Sequence, residues 1–202
     1  MLERSRDLMD SMGSDDLFTQ AGADFITEAW AAAQFAEARK AEAVRLVSSR
    51  EQWPDFAIRM PSGTVESWEF TEADEPGRRR GDDFRQAARR RAAGVNSLEG
   101  ISAEQIADEA KDVPAWVRER CKAKVEKHYS GRATLLIYLN WSDFGWHNEI
   151  AHTFLDATSP AKDAFTEIWI LWKTGIHRTW RDGIADPLVR MAQGAFDAYA
   201  SR

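Results

Sequence analysis

One stretch decides the fold of this chain: residues 53–72 read WPDFAIRMPSGTVESWEFTE. Two runs of strand-forming residues flank a Pro-Ser-Gly turn, a pattern that predicts a β-hairpin. Within each run, large apolar side chains alternate with polar or small ones, so one face of the hairpin is predicted to be apolar and the other polar. A three-residue loop at positions 61–63 would place Phe56 opposite Trp68.

The same register sets two carboxylates, those of Asp55 and Glu69, opposite each other on the polar face. Directly opposed side chains have Cβ atoms about 4.5–5.5 Å apart, and like charges at that separation are destabilising. A divalent cation would offset the repulsion, because hard cations take carboxylate and carbonyl oxygens as ligands. The alternative is that this face is simply exposed to water and that both carboxylates are ordinary solvated charges.

The spacing of these residues resembles a known motif. Asp55 follows a proline, and thirteen residues separate it from Glu69. This arrangement resembles the PD-(D/E)XK nuclease superfamily, which has the restriction-endonuclease-like fold. The resemblance implies that Asp55, Glu69 and the carbonyl of Phe70 hold Mg²⁺ or Mn²⁺. The chain departs from the motif at Thr71, where the superfamily has a lysine that helps to activate water.

Length and composition bound the fold. The chain has 202 residues, of which 44% are hydrophobic and 30% are charged, enough for one globular domain with a substantial core. Residues 1–20 are expected to form a mobile lead-in, and residues 21–202 a single α/β domain. No apolar run approaches the roughly 20 residues that a membrane helix needs, and the first residues lack the layout of a secretory signal. We therefore expect a cytoplasmic protein with no membrane partner, while the oligomeric state stays open, a homodimer included.

The sequence lacks the motifs of several common enzyme and metal-binding classes. It contains no Gly-rich phosphate loop, no zinc-binding pattern and no G-x-S-x-G elbow. The single cysteine, Cys121, excludes an internal disulfide and falls in a helical pattern, so we expect it to pack rather than to react.

Arginines cluster directly after the hairpin, although the net charge of the chain is −6. Seven of them fall within fourteen residues: Arg78, Arg79, Arg80, Arg85, Arg89, Arg90 and Arg91. Such clusters are typical of phosphate contacts, which favours DNA or RNA as a partner. The alternative is a solvated helix face whose charge is balanced by the acidic residues beside it.

A long helix is predicted before the hairpin, because residues 24–48 hold many good helix formers and neither proline nor glycine. Glu37 falls inside its apolar stripe, where a carboxylate must find a partner or be desolvated. The resemblance implies that the first helix supplies an acidic residue to the metal site. Glu37 matches that role best, with Glu28 and Glu42 as competitors. The alternative is that Glu37 reaches water from the edge of the stripe.

Helices and a buried strand are predicted after the hairpin. One helix is expected over residues 82–93, and another begins after Ser102 and is expected to kink or split at Pro114. The nearly continuous apolar run at 132–140 predicts a central strand that is covered on both faces. Strand, helical crossover and buried strand together predict a parallel pairing.

The lysine that the motif lacks is supplied in some superfamily members by the helix after the acidic strand. The resemblance therefore implies Lys124 as the first choice and Lys122 as the second. Lys124 shares an apolar stripe with Val117 and Cys121, so it is predicted to face the protein body, where an unpaired ammonium would be costly. The alternative is a structural or solvated lysine.

Strands are predicted at 165–172 and around 177–181, and a terminal helix at 187–199. The resulting fold class is α/β, a mixed central sheet flanked by helices. The order of these elements resembles that of the restriction-endonuclease-like fold. The resemblance implies a metal-dependent nuclease that hydrolyses phosphodiester bonds of nucleic acid. The alternative is a catalytically inactive member of the same fold that acts as a binding or interaction protein.

Overall fold

The computed structural model describes residues 24–47, 54–75, 89, 103–127, 133–141, 148–172 and 175–191. Its helices are α1 (Asp24–Ala38), α2 (Ala103–Val125) and the short α3 (Phe154–Thr158), with 3-10 helices at Asn148–Thr153 and Ser159–Ala161. Its strands are β1 (Ala43–Leu46), β2 (Phe56–Arg59), β3 (Val65–Ala73), β4 (Ala133–Leu139), β5 (Phe165–Trp172), β6 (Gly175–Arg181) and β7 (Ile184–Met191).

The seven strands form one mixed sheet in which spatial order follows sequence order, from β1 to β7. β1, β2 and β3 are antiparallel, β3, β4 and β5 are parallel, and β5, β6 and β7 are again antiparallel. The parallel step from β3 to β4 is made through α2, because parallel neighbours need a long crossover. The predicted α/β class with a mixed, helix-flanked sheet is therefore confirmed.

Helices cover both faces of this sheet. On one face, Phe35 of α1 packs against Trp68, with ring centroids 4.5 Å apart, and against Trp169. On the other face, α2 and α3 pack on a second apolar cluster. Successive residues of β4 alternate between the clusters, since Leu135 belongs to the α2 side and Leu136 to the α1 side. The prediction of a central strand buried on both faces is confirmed.

The hairpin has the predicted register. Phe56 pairs with Trp68, and the N–H of Met60 donates to the carbonyl of Thr64 over 2.9 Å. Gly63 closes the turn with φ at +83°, a left-handed conformation that favours glycine because it has no Cβ. The turn residues and the alternation of apolar and polar side chains were therefore enough to predict the pairing register of this hairpin.

The first helix ends earlier than its composition predicts. The helix expected over 24–48 stops at Ala38, where Lys40 adopts a left-handed φ of 57°. The N–H groups of Lys40 and Ala41 donate to the carbonyls of Glu37 and Ala36, over 2.9 and 2.8 Å. This Schellman motif ends the helix although no glycine marks the position. The residues that follow form β1, whose backbone is satisfied by β2.

Pro114 does not interrupt the second long helix, contrary to the prediction. α2 is not split at Pro114, although proline cannot donate to the carbonyl four residues earlier. Val113, Trp116 and Val117 are buried against the sheet, so tertiary packing holds the helix together across that position.

The predicted terminal helix at 187–199 is wrong in its first part, because residues up to Met191 belong to β7. Pro187 is tolerated there since β7 is an edge strand with β6 as its only neighbour in the described sheet, and an edge does not need every N–H in a ladder.

Other predicted segments, the lead-in at 1–20 and the helix at 82–93, lie outside the described residues apart from Arg89. None of the helices in the described ranges is long and apolar enough to cross a membrane.

The left-handed conformation at Lys40 generates a prediction about stability. A residue with a Cβ in this conformation costs about 1–2 kcal/mol, and part of that cost is offset by the greater unfolded-state entropy of glycine. Lys40→Gly should therefore raise the free energy of unfolding by about 0.5–1 kcal/mol in urea denaturation. Lys40→Ala is the matched control, since it removes the charge and keeps the Cβ. Equal stability of the two variants would contradict the prediction.

The environment of His177 generates a second prediction. Its ring packs edge-on against Phe154, with centroids 5.3 Å apart, and burial lowers its pKa from 6.5 to about 4. The unfolded chain therefore takes up the proton first as the pH falls. Stability should drop between pH 6.5 and pH 4 by up to about 3 kcal/mol from this group. His177→Phe should flatten urea-unfolding stability over that range, whereas substitution of the exposed His152 by Gln should not. Parallel wild-type and His177→Phe curves would refute this.

Candidate active site

Two carboxylates lie together at the junction of β2 and β3. Asp55 immediately precedes β2, and its N–H donates to the carbonyl of Trp68 over 3.0 Å. The N–H of Phe70 in turn donates to Asp55 Oδ2 over 2.7 Å, which fixes the side chain of Asp55 over β3. Glu69 lies between these two contact residues on the strand and is only 2% exposed. The hairpin thus brings together the acidic pair that the sequence predicts.

A lysine from α2 reaches both carboxylates. Lys124 Nζ lies 3.0 Å from Glu69 Oε2 and 3.8 Å from Asp55 Oδ2. Lys124 itself is buried, with 8% exposure, as its place on the apolar stripe of α2 predicts. The second-choice lysine, Lys122, is exposed and pairs with Glu119 over 2.7 Å. Two residues along a helix correspond to a rotation of about 200°, so the two lysines point in different directions.

Of the acidic residues of α1, Glu28 and not Glu37 lies close to the carboxylate pair. The pKa of Glu28 is raised to about 7, first by burial and next by the charge of Asp55. Lys124 lowers it and Glu69 raises it further. Glu28 is therefore within electrostatic reach of the whole cluster. Glu37 lies nine residues further on, which places it about 180° around the helix from Glu28.

The prediction of Glu37 depends on a helix that continues to residue 48. Once α1 ends at Ala38, the apolar positions beyond it no longer belong to the same stripe, and the buried face is centred on Ala32 and Phe35. Glu28 precedes these residues by four and seven positions and so shares their side of the helix. The other competitor, Glu42, is exposed beside Arg59, 3.6 Å away.

The residues that follow Glu69 on β3 point alternately to the two faces of the sheet. Thr71 lies two positions after Glu69 and therefore on the same face of β3. Phe70 points to the other face and packs on the α1 cluster. The ammonium reaches the carboxylates from α2 instead, through Lys124.

The arginine cluster is mostly outside the described residues. This holds for Arg78, Arg79, Arg80, Arg85, Arg90 and Arg91, while Arg89 is helical and exposed. Their contact with phosphate stays a prediction.

The donor set at this site suits a hard cation. Magnesium is usually bound by one or two carboxylates and completes its coordination with water and substrate phosphates. Asp55 and Glu69 supply two carboxylates, and Glu28 adds a third nearby. Within the described ranges, no three His, Cys, Asp or Glu side chains form a ready-made metal cage. Two carboxylates are within the number that magnesium usually takes from a protein, so the donor set is compatible with this ion.

The chain matches no protein-family model, no curated protein and no solved structure. The resemblance to the nuclease superfamily therefore stays a prediction, carried by the residues themselves.

The raised pKa of Glu28 generates the third prediction. Because the folded chain favours the protonated form, this group contributes stability that is fully present below pH 4.5 and is lost as the pH rises through about 7. Glu28→Gln stays uncharged at every pH. Its urea-unfolding stability should therefore exceed that of the wild type above pH 7 and decline less steeply between pH 4.5 and 7.

Glu37→Gln is the matched control for this experiment, since it makes the same change on the opposite side of α1. If the two variants gave the same pH dependence, Glu28 would not be part of the cluster.

Proposed function

We propose that this protein is a metal-dependent nuclease with the restriction-endonuclease-like fold, which uses Mg²⁺ or Mn²⁺ to hydrolyse phosphodiester bonds of nucleic acid. One observation carries the proposal: Asp55, Glu69 and Lys124 converge from the start of β2, from β3 and from α2. The order of α1, the hairpin, the crossover helix α2 and the parallel strand β4 supports the fold assignment.

Hydrolysis of a phosphodiester needs positive charge around the pentavalent transition state and an activated water. A bound metal ion would supply both, by neutralising phosphate oxygens and by lowering the pKa of water. Asp55 and Glu69 are the side chains that would hold it, together with the carbonyl of Phe70 that the resemblance implies. The N–H of Phe70 keeps Asp55 in one orientation, which prepares the site in advance.

The remaining side chains have roles that follow from their charge. Lys124 carries a positive charge within 4 Å of both carboxylates. A phosphate bound to a metal ion at these carboxylates would therefore lie within reach of its ammonium. Glu28, with a pKa of about 7, can accept or release a proton near neutral pH. Lys124 would thus supply positive charge to the phosphate, and Glu28 would take the proton from the attacking water.

An inactive binding protein is the second candidate, and two observations favour it. Thr71 stands where the motif has its lysine, and Lys124 and Glu69 already satisfy each other's charge as a buried pair. In that case the same residues would serve stability alone.

The test of the proposed activity uses the purified full chain with supercoiled DNA and with single-stranded RNA, in Mg²⁺, in Mn²⁺ and in EDTA. We expect metal-dependent cleavage of at least one substrate, and a loss of about 10²-fold or more in Glu69→Gln and Lys124→Met. Lys122→Met is the matched control and should cleave like the wild type. If the wild type cleaves neither substrate, the nuclease proposal is wrong.

Melting curves separate the two candidates independently of substrate. Without metal, Glu69→Gln should lower the free energy of unfolding by about 1–3 kcal/mol, because the buried ammonium loses the nearer of its two charged partners. Magnesium should raise the melting temperature of the wild type and not that of the variant, since only the intact site binds it. A wild type that ignores magnesium while the variant is destabilised would identify Glu69 as a purely structural residue.

A further inference from the structure

The ammonium of Lys124 occupies the space that the two carboxylates share. It lies 3.0 Å from Glu69 Oε2 and 3.8 Å from Asp55 Oδ2, and Asp55 Oδ2 also accepts the N–H of Phe70. A magnesium ion binds oxygens at about 2.0–2.1 Å. A cation held by both carboxylates would therefore compete for the oxygens that Lys124 now contacts.

We propose that Lys124 is an internal counter-ion that holds this cation position in the metal-free protein and must leave it when metal binds. Its departure makes the binding of metal and of a phosphodiester mutually dependent. The proposal rests on the proposed function, since it concerns the same site.

Because the site is buried, the competition between Lys124 and a metal ion links metal binding to phosphodiester binding. Glu69 and Lys124 are 2% and 8% exposed, so neither charge can be transferred to bulk water without a change in the structure around it. Two cations between the same carboxylates repel each other, and the displaced ammonium needs a new anion close by. A phosphodiester oxygen beside the metal is such an anion. Each ligand should therefore strengthen the binding of the other by the same factor.

The position of Lys124 in α2 permits this exchange. It is the penultimate residue of the helix, and the N–H of Lys127 in the following turn donates to its carbonyl over 3.3 Å. Its ammonium is carried on a flexible four-carbon stem, so the head can move while the backbone stays in place. The nearby Lys122 is exposed and pairs with Glu119, so it takes no part in the exchange.

The experiment measures Mn²⁺ affinity by isothermal titration calorimetry on the full chain, with and without saturating diethyl phosphate, a phosphodiester that lacks bases and sugars. For the wild type we expect diethyl phosphate to tighten Mn²⁺ binding about tenfold. Lys124→Met should bind Mn²⁺ about tenfold more tightly than the wild type without diethyl phosphate, and should show no further gain when it is added. Lys122→Met should behave like the wild type.

Lys124→Gln serves as a second variant, because its amide still donates a hydrogen bond to Glu69 if the methionine variant fails to fold. The wild-type comparison needs no variant at all. Equal Mn²⁺ affinity in the wild type and in a folded Lys124 variant, or a wild type that diethyl phosphate leaves unchanged, would overturn the inference while leaving the nuclease proposal intact. Absence of Mn²⁺ binding in every protein would overturn both.

Discussion

The buried ion pair between Lys124 and Glu69 is the contact on which the arrangement of the site depends. A buried charge without its partner is strongly destabilising, so the last turn of α2 is tied to the middle of β3. The same ammonium reduces the repulsion between Asp55 and Glu69, since one positive charge lies close to both negative ones. Glu28 is held partly protonated beside them. The cluster thus keeps an excess of negative charge in a place where a purely structural core would have apolar groups.

A second charged contact joins the end of α1 to the opposite face of the sheet. Arg39 donates to both carboxylate oxygens of Glu66, at 2.9 and 3.0 Å, and to Glu167 at 3.2 Å. Its guanidinium also lies over the ring of Trp169, 5.1 Å from the centroid. Arg39 follows Glu28 by eleven residues, which is about three helical turns, so the two share one side of the helix. Arg39 is thus anchored on the sheet at one end of α1, and Glu28 lies near the site at the other end.

Much of the candidate site could be predicted because its signals are local. Asp55 and Glu69 are set opposite each other by a hairpin whose register follows from a three-residue turn. Lys124 could be chosen over Lys122 because it alone lies on the apolar stripe of α2. Glu28 could not be chosen over Glu37, because the direction of a helical side chain depends on which stripe packs on the sheet. The observed helix is shorter than its composition indicates, so its buried stripe differs from the predicted one.

The sequence by itself determined the hairpin, the buried strands β4 and β5 and the parallel crossover, because alternation, apolar runs and turn residues act over a few neighbouring positions. Only the tertiary structure decided the two edges of the sheet. β1 follows a helix that ends near Lys40, where the sequence has no glycine to mark the end. β7 contains Pro187, a residue that is unusual within a strand. Both strands form because β2 and β6 offer them backbone hydrogen bonds. A strand's stability depends on its partner, and local propensity does not reveal where an edge will find one.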